Sequence, residues 1–476
     1  MPLSSFRQTI QNAMNDGRLH TGVIGENVMI PGPNGDVPLV YADYVASGRA
    51  MRQAEDFVLA EILPFYANSH TESSYCGAYM TRLREEARGE ISRLVGATCD
   101  DAVIFAGSGA TAGLNRLVNL FGVNGADQPV VFIGPYEHHS NILPWRESKA
   151  LVVEIPESTG GGPDLDVLAQ ALELHSYSDL VIGSFSAASN VTGIITDPDP
   201  VTRLLKAHGA LSVWDYAGAG PYLPIDMRAN SDARKDAIVV SPHKFPGGPG
   251  ASGVLVVNKN AVQATRPSAP GGGTVLYVSP WRHEYLDDLV DREESGTPNI
   301  IGDIRAALAF MIKDTVGDRH IAAQESRFNA MALQGWADNP HLTLLGTDKA
   351  HRLPIFSFLI HDETGKPVHQ NLFTRMLSDI YGIQARGGCA CAGPYGHHLL
   401  HINQSTSEAL YDQVISGHEL AKPGWVRLNF SYLMQDETVQ YIIDSVNALS
   451  VSAAHHAARY RLDPVTGQYQ SQEQAA

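Results

Sequence analysis

Ser241-Pro-His-Lys-Phe-Pro-Gly-Gly-Pro-Gly250 joins two apolar runs, Ala237-Ile-Val-Val240 before it and Gly253-Val-Leu-Val-Val257 after it. Both runs read as buried strands, and the Pro/Gly-rich turn between them carries one lysine, Lys244. A lysine at a strand end with little reach to water can lose its proton and become a nucleophile, whereas an ordinary turn lysine stays solvated. The surroundings decide between the two. Working upstream, the apolar runs Val103-Ile-Phe-Ala106, Val130-Val-Phe-Ile133, Leu151-Val-Val-Glu-Ile155, Leu180-Val-Ile-Gly183 and Leu211-Ser-Val-Trp214 alternate with helical stretches. Helices are expected over Met80–Val95, where Leu83, Ala87, Ile91 and Leu94 share a face, and over Thr111–Phe121. Near-continuous apolar strands are buried on both faces, so the expectation is an α/β fold with a mostly parallel sheet covered by helices.

Downstream, a long helix over Ile300–Val316 leads to a second set of strands, Ile355-Phe-Ser-Phe-Leu-Ile360 and Trp425-Val-Arg-Leu-Asn429. This reads as a smaller α+β C-terminal domain. The expected organisation is an N-terminal arm over 1–40, a large domain over 41–315, a small domain over 316–461, and a Gln-rich disordered tail over 462–476. The net charge of −17, from 34 basic and 51 acidic residues, argues against nucleic acid or an anionic membrane as a partner. Four cysteines make no disulfide framework, and neither a signal peptide nor a membrane-length apolar run is visible, so a reducing, cytoplasmic setting is expected.

Several residues near strand ends could carry chemistry. Gly107-Ser-Gly-Ala-Thr-Ala112 lies between a strand and a helix, where backbone N–H groups and the helix dipole favour a phosphate. It also satisfies the dinucleotide pattern G-x-G-x-x-A, but the acidic residue at the matching distance, Asp127, precedes the second strand rather than ending it. Asp215 ends the run Leu211–Trp214 and would point into the crevice where open α/β sheets bind ligands. In Glu137-His-His-Ser-Asn141 an imidazole could stack on a flat cofactor, and Asn190 is placed to hydrogen-bond a ring substituent. With Lys244 and His243, this set suggests a Schiff-base lysine holding pyridoxal 5'-phosphate, with Asp215 keeping a pyridine nitrogen protonated.

Arg386-Gly-Gly-Cys-Ala-Cys-Ala-Gly-Pro394 is the second unusual stretch. Small residues leave a thiol exposed, and a neighbouring arginine favours its thiolate. Cys389 and Cys391 with His397, His398 and His401 could instead bind metal, although this is not a standard zinc spacing, and no metal site is expected. Arg427 is a second arginine with a fork suited to a carboxylate, or to a structural ion pair.

In this order the residues resemble the class V aminotransferase superfamily of fold-type I pyridoxal-phosphate enzymes, most strongly its cysteine desulfurase/selenocysteine lyase branch. The similarity covers roughly Tyr41 to Tyr432. Tyr41-Ala-Asp-Tyr-Val-Ala-Ser47 is similar to the family's opening strand, and Tyr66-Ala-Asn-Ser-His70 to its N-x-H segment, which implies His70 on the substrate side. Gly109-Ala-Thr-Ala-Gly-Leu-Asn115 resembles the phosphate turn, implying phosphate contacts from Ala110 and Thr111. Glu137-His-His-Ser-Asn-Ile-Leu-Pro-Trp145 implies that His138 stacks on the ring, and Asn190, Asp215, Ser241, His243 and Lys244 fall on cofactor positions. Glu294-Ser-Gly-Thr-Pro-Asn299 resembles a segment that reaches the neighbouring subunit's phosphate, which implies a homodimer with Thr297 acting in trans. Arg386 and Arg427 match substrate-carboxylate arginines, and Cys391 the persulfide-forming cysteine.

Two positions depart from the branch: Gly218 stands where Gln or His is frequent, and Cys389-Ala-Cys391 replaces His-His-Cys. The implied activity is conversion of L-cysteine to L-alanine with a persulfide on Cys391, passed to a sulfur-acceptor protein. The alternatives within the superfamily are an aminotransferase, a C–S β-lyase or an epimerase. More distant ones are an NAD-dependent oxidoreductase and a metal-binding protein.

Overall fold

The computed structural model describes residues 2–69, 72–347, 349, 351–463 and 467–472. The chain forms two compact units, one from Met1–Ile24, Ser47–Ala188 and Thr196–Asp318, the other from Gly25–Ala46, Ser189–Ile195 and Arg319–Ala476. The first unit is built on seven strands: β1 (Asp101–Gly107), β2 (Pro129–Ile133), β3 (Leu151–Glu154), β4 (Leu180–Ser186), β5 (Leu211–Asp215), β6 (Ala237–Val240) and β7 (Gly253–Asn258). Their spatial order is β1-β7-β6-β5-β4-β2-β3. Only β7 runs antiparallel to its neighbours, so the mostly parallel sheet expected from the apolar runs is present. Every side chain of β6 and the run Val254–Val257 of β7 is fully enclosed. Burying such a side chain is worth about 1.5–3 kcal/mol, which is why these strands are apolar throughout rather than alternating.

Helices cover this sheet. The second helix, α2 (Tyr75–Leu94), follows α1 (Pro2–Asn15) and starts a turn earlier than the periodicity indicates, because Ser74 caps it by accepting the Gly77 N–H at 3.2 Å. Its buried residues Met80, Leu83, Ala87 and Ile91 are on the predicted face. Helix α3 (Gly109–Leu120) follows β1 directly and buries Leu114, Leu117 and Leu120 beside Val239 and Leu255 of the sheet. Helix α4 (Ile300–Val316) is apolar nearly all round and almost wholly buried, as a helix clasped by neighbours must be. Part of its cover comes from α1, whose Leu3, Phe6 and Ile10 are buried and whose Arg7 pairs with Asp314 of α4. The expected N-terminal arm over 1–40 is therefore divided, its first segment belonging to the large unit.

The second unit contains a sheet ordered β8-β9-β11-β10, from β8 (Leu342–Leu344), β9 (Ile355–His361), β10 (Arg386–Gly388) and β11 (Trp425–Asn429), with Pro367–Val368 added to β9. Its core is aromatic: Trp336 meets Phe356 edge-on at 5.2 Å, and Phe328 and Phe430 close the cluster. Val40–Tyr41 joins this unit by pairing in parallel with Ile383–Gln384. The tail expected to be disordered from Leu462 instead pairs Tyr460–Leu462 with Tyr469–Ser471. Its composition is polar, yet Gly467 at φ +65° and a buried Ser471 give the hairpin its local footing. Among the described residues no helix is long and apolar enough to cross a membrane.

Candidate active site

In the first unit the site residues gather at the start of α3 and at the C-terminal ends of β5 and β6. Gly107 and Gly109 adopt φ +88° and +63°, a turn closed to most side chains. Ala110 donates its N–H to Ser241 Oγ at 2.9 Å. A Cβ on Gly109 would lie 2.9 Å from Ser241 Oγ and 3.0 Å from His243 Cε1, so the helix start is packed directly on the Ser241–Lys244 turn. That turn is a short 3-10 segment in which the Lys244 N–H donates to Ser241 O at 3.0 Å. Burial, with the Lys244 charge adding, pushes His243 down to about 4, so the ring is neutral near pH 7.

Asp215 is buried at the end of β5 and accepts the Ala217 N–H at 2.7 Å. Burial raises its pKa, while that N–H and the nearby Lys244 charge pull the other way. A buried carboxylate next to a lysine is an arrangement that costs stability unless cationic or donor groups meet it. Thr111 Oγ1 lies 2.7 Å from Ser140 Oγ, which in turn lies 3.0 Å from His138 Nδ1. His138 Nδ1 also accepts the Ser140 N–H at 3.0 Å, which places the proton of the neutral ring on Nε2. Thr111, Ser140 and His138 are thus one connected chain. Thr297 is exposed. His70 lies outside the described residues.

Glu137 has a role that its sequence context does not show. It is fully enclosed and accepts the Ser186 N–H at 2.9 Å, the Ser186 hydroxyl at 2.6 Å and Asn141 Nδ2 at 2.5 Å. Asn141 Oδ1 accepts from Trp145 Nε1 at 3.1 Å and from Ser184 Oγ at 2.6 Å. This buried network fixes the His138 loop to β4. Burial pushes Glu137 up to about 7 against its hydrogen bonds from Ser186 and Asn141, with the Asp215 charge adding to the rise.

In the second unit a different cluster forms on β10 and β11. Arg386 and Arg427 are direct cross-strand partners. Both suit a ligand carboxylate, and both already share one from the chain itself. Arg427 Nη2 donates to Asp43 Oδ1 at 3.0 Å, and Arg386 reaches Asp43 Oδ2 through Nε at 3.0 Å and Nη2 at 2.9 Å. Arg427 Nη1 donates to Asn190 O at 3.1 Å, and Asn190 Nδ2 donates to Ala390 O at 2.8 Å. Asn190 therefore anchors the cysteine loop.

Ala390 and Cys391 are consecutive non-glycine residues at φ +52° and +55°, each costing about 1–2 kcal/mol. Cys391 is exposed and Cys389 half-buried, both as free thiols. A thiolate at Cys391 would interact electrostatically with both arginines. Among the described residues no group of three or more His, Cys, Asp and Glu is arranged to hold a metal ion.

Similar proteins carry the same overall design. A cysteine desulfurase of Enterobacter sp. (strain 638) is 29% identical over 368 residues, spanning 75% of this chain and 85% of that protein. The apo structure of a cysteine desulfurase from Thermococcus onnurineus NA1 superposes with a TM-score of 0.70 at 21% identity, covering 87% of this chain and 94% of that one. A crystal structure of the Escherichia coli cysteine desulfurase CsdA in its S-sulfonic acid form gives a TM-score of 0.66 at 23% identity, covering 86% and 94%. The family described as Aminotransferase class-V matches residues 40–442, a span that takes in the lysine turn, the helix start and the cysteine loop alike, and the chain belongs to that family.

Proposed function

We propose that this protein is a pyridoxal-phosphate-dependent cysteine desulfurase. The observation that carries the reading is Cys391, exposed on a strained loop and within electrostatic reach of Arg386 and Arg427. The naming of the Enterobacter relative supports it.

The residues fit the cofactor. A buried Asp215 beside Lys244 suits a pyridinium nitrogen, and the start of α3, packed against Ser241 and His243, suits a phosphate. Ala110, Thr111, Ser241 and His243 would hold that phosphate, His138 would cover the ring, Asn190 would meet a ring substituent, and Lys244 Nζ would form the covalent link. Bound there, pyridoxal phosphate supplies an electron sink at the amino acid's α-carbon.

The chain's own groups do the rest. Arg427 and Arg386 hold the substrate carboxylate. Lys244 Nζ takes the Cα proton. Cys391 Sγ, as thiolate, attacks the substrate sulfur; a new S–S bond forms and the Cβ–S bond breaks with its electron pair left on Cβ, which is protonated to give alanine. The persulfide on Cys391 passes to a sulfur-acceptor protein.

A homodimer completed by Thr297 in trans belongs to the same reading. The hairpin Val275–Val278/His283–Tyr285 exposes Leu276, Tyr277, Val278 and Trp281, an apolar surface that a second copy would cover. The setting is cytoplasmic.

The test is product analysis with L-cysteine. Wild-type protein is expected to release alanine and persulfide-derived sulfide in equal amounts, and Cys391→Ser to release neither. A Cys391→Ser protein that still turns over would assign transamination or β-elimination instead.

A further inference from the structure

Arg386 and Arg427 face each other directly across two antiparallel strands, a placement in which like charges repel. Asp43 lies on both of them, 3.0 Å from Arg427 Nη2 and 2.9 Å from Arg386 Nη2. Its position is set by backbone on either side: the Ala42 N–H donates to Gln384 O at 3.0 Å, the Asn429 N–H donates to Ala42 O at 2.9 Å, and the Val45 N–H donates to Asn429 Oδ1 at 3.0 Å. These bonds pin the backbone on both sides of Asp43, so its carboxylate starts from a fixed point beside both guanidiniums. With Cys391 as the neutral thiol, one carboxylate against two guanidiniums leaves a single positive charge. Donor capacity is also left over: Arg427 is 3% exposed, and its Nε is enclosed with no hydrogen-bond partner among the described residues. A buried N–H in that condition fits a ligand acceptor.

We infer that Asp43 is a positioning residue that sets the charge of the Arg386/Arg427 anion site, cancelling one guanidinium so that the site matches a ligand with one anionic group. The assignment rests on the reading of these arginines as the substrate-carboxylate site. It extends that reading to selectivity: amino acids with one carboxylate are favoured over dicarboxylic ones because only one positive charge remains to be met. Asp43 orients both forks and touches no substrate itself.

The experiment titrates full-length protein calorimetrically with two unreactive anions, propionate with one carboxylate and malonate with two. In wild type propionate is expected to bind at least as tightly as malonate, and Asp43→Asn is expected to shift their ratio toward malonate by about tenfold or more, since a second uncompensated charge appears. Asp43→Glu is expected to keep the wild-type ratio. An unchanged ratio in Asp43→Asn, with both anions weakened alike, would reduce Asp43 to a structural role and overturn the inference.

Should Asp43→Asn fail to fold, Arg386→Gln on the exposed side of the pair leaves no net charge, and propionate binding is expected to weaken about tenfold or more. Unaltered propionate binding there would overturn the inference. Alanine release from cysteine is measured on the same preparations. Anion ratios as expected without alanine remove the desulfurase reading alone, and alanine with an unmoved ratio removes the role of Asp43 alone.

Discussion

Replacing Gly253 with alanine tests whether the start of α3 holds its place because nothing projects at it from the sheet. Gly253 is paired with Gly107, and the register slips between Gly253 and Val254, so β1 and β7 approach closely at this point. A Cβ on Gly253 would lie 2.3 Å from Gly109 O, 2.5 Å from Gly109 C and 2.6 Å from Gly109 Cα. All three are backbone atoms, so no side chain can move aside. Ordinary contact begins at 3.4 Å, and the Gly109 peptide would have to retreat by about 1 Å.

Overpacking of this kind costs about 1–3 kcal/mol. A misplacement of about 1 Å in a positioning group can cost on the order of 100-fold in function. Gly253→Ala is therefore expected to melt earlier and to bind pyridoxal phosphate far more weakly, measured by thermal denaturation and by absorbance titration of the cofactor. Gly89→Ala is the control: it lies within α2 with nothing within 4 Å of its Cβ, and is expected to keep cofactor affinity while gaining roughly 0.5–1 kcal/mol. Wild-type melting and cofactor affinity in Gly253→Ala would refute the reasoning.

Two further outcomes concern buried carboxylates. Glu137 titrates at about 7 in the folded protein against an ordinary 4.5, so the folded state binds more protons across that window and stability falls as pH rises through it. Glu137→Gln is expected to remove a pH dependence on the order of 3 kcal/mol, seen by comparing urea midpoints at pH 5 and pH 8. Glu294 accepts from Arg88 Nη1 at 2.7 Å, from the Phe105 N–H at 2.7 Å and from Arg84. Glu294→Gln would leave Arg84 and Arg88 under-compensated at a cost of roughly 3 kcal/mol, read as a lower melting temperature, and would loosen the segment leading to Thr297.

The parts of the fold that were legible in the sequence are those whose physics is local. Apolar runs of four or five residues point to the strands of the large sheet because a strand buried on both faces has few polar side chains to interrupt it. Lys244, Asp215 and the Gly107–Gly109 turn were legible for a related reason: each sits at a strand end, where open sheets place ligand-facing groups.

Asp43 was not, because its meaning comes from arginines 343 and 384 residues away in the chain. No pattern around Tyr41-Ala-Asp-Tyr44 reveals that pairing. Glu137 was hidden in the same way, since its partner Ser186 lies 49 residues on and becomes a neighbour only when β4 is in place. The hairpin Tyr460–Leu462/Tyr469–Ser471 is hidden by a polar composition, since a turn glycine and one buried serine carry it, and residues 464–466 and 473–476 of the expected tail lie outside the described residues.

The proposed function requires Lys244 Nζ, in the same site as the buried Asp215, to be the point of covalent attachment for the cofactor. Its most direct test is peptide mass spectrometry after borohydride reduction of protein fully loaded with pyridoxal phosphate. A single phosphopyridoxyl adduct is expected on the peptide spanning Ser241 to Gly250, at Lys244. An unmodified Lys244, or an adduct on a different lysine, would contradict it.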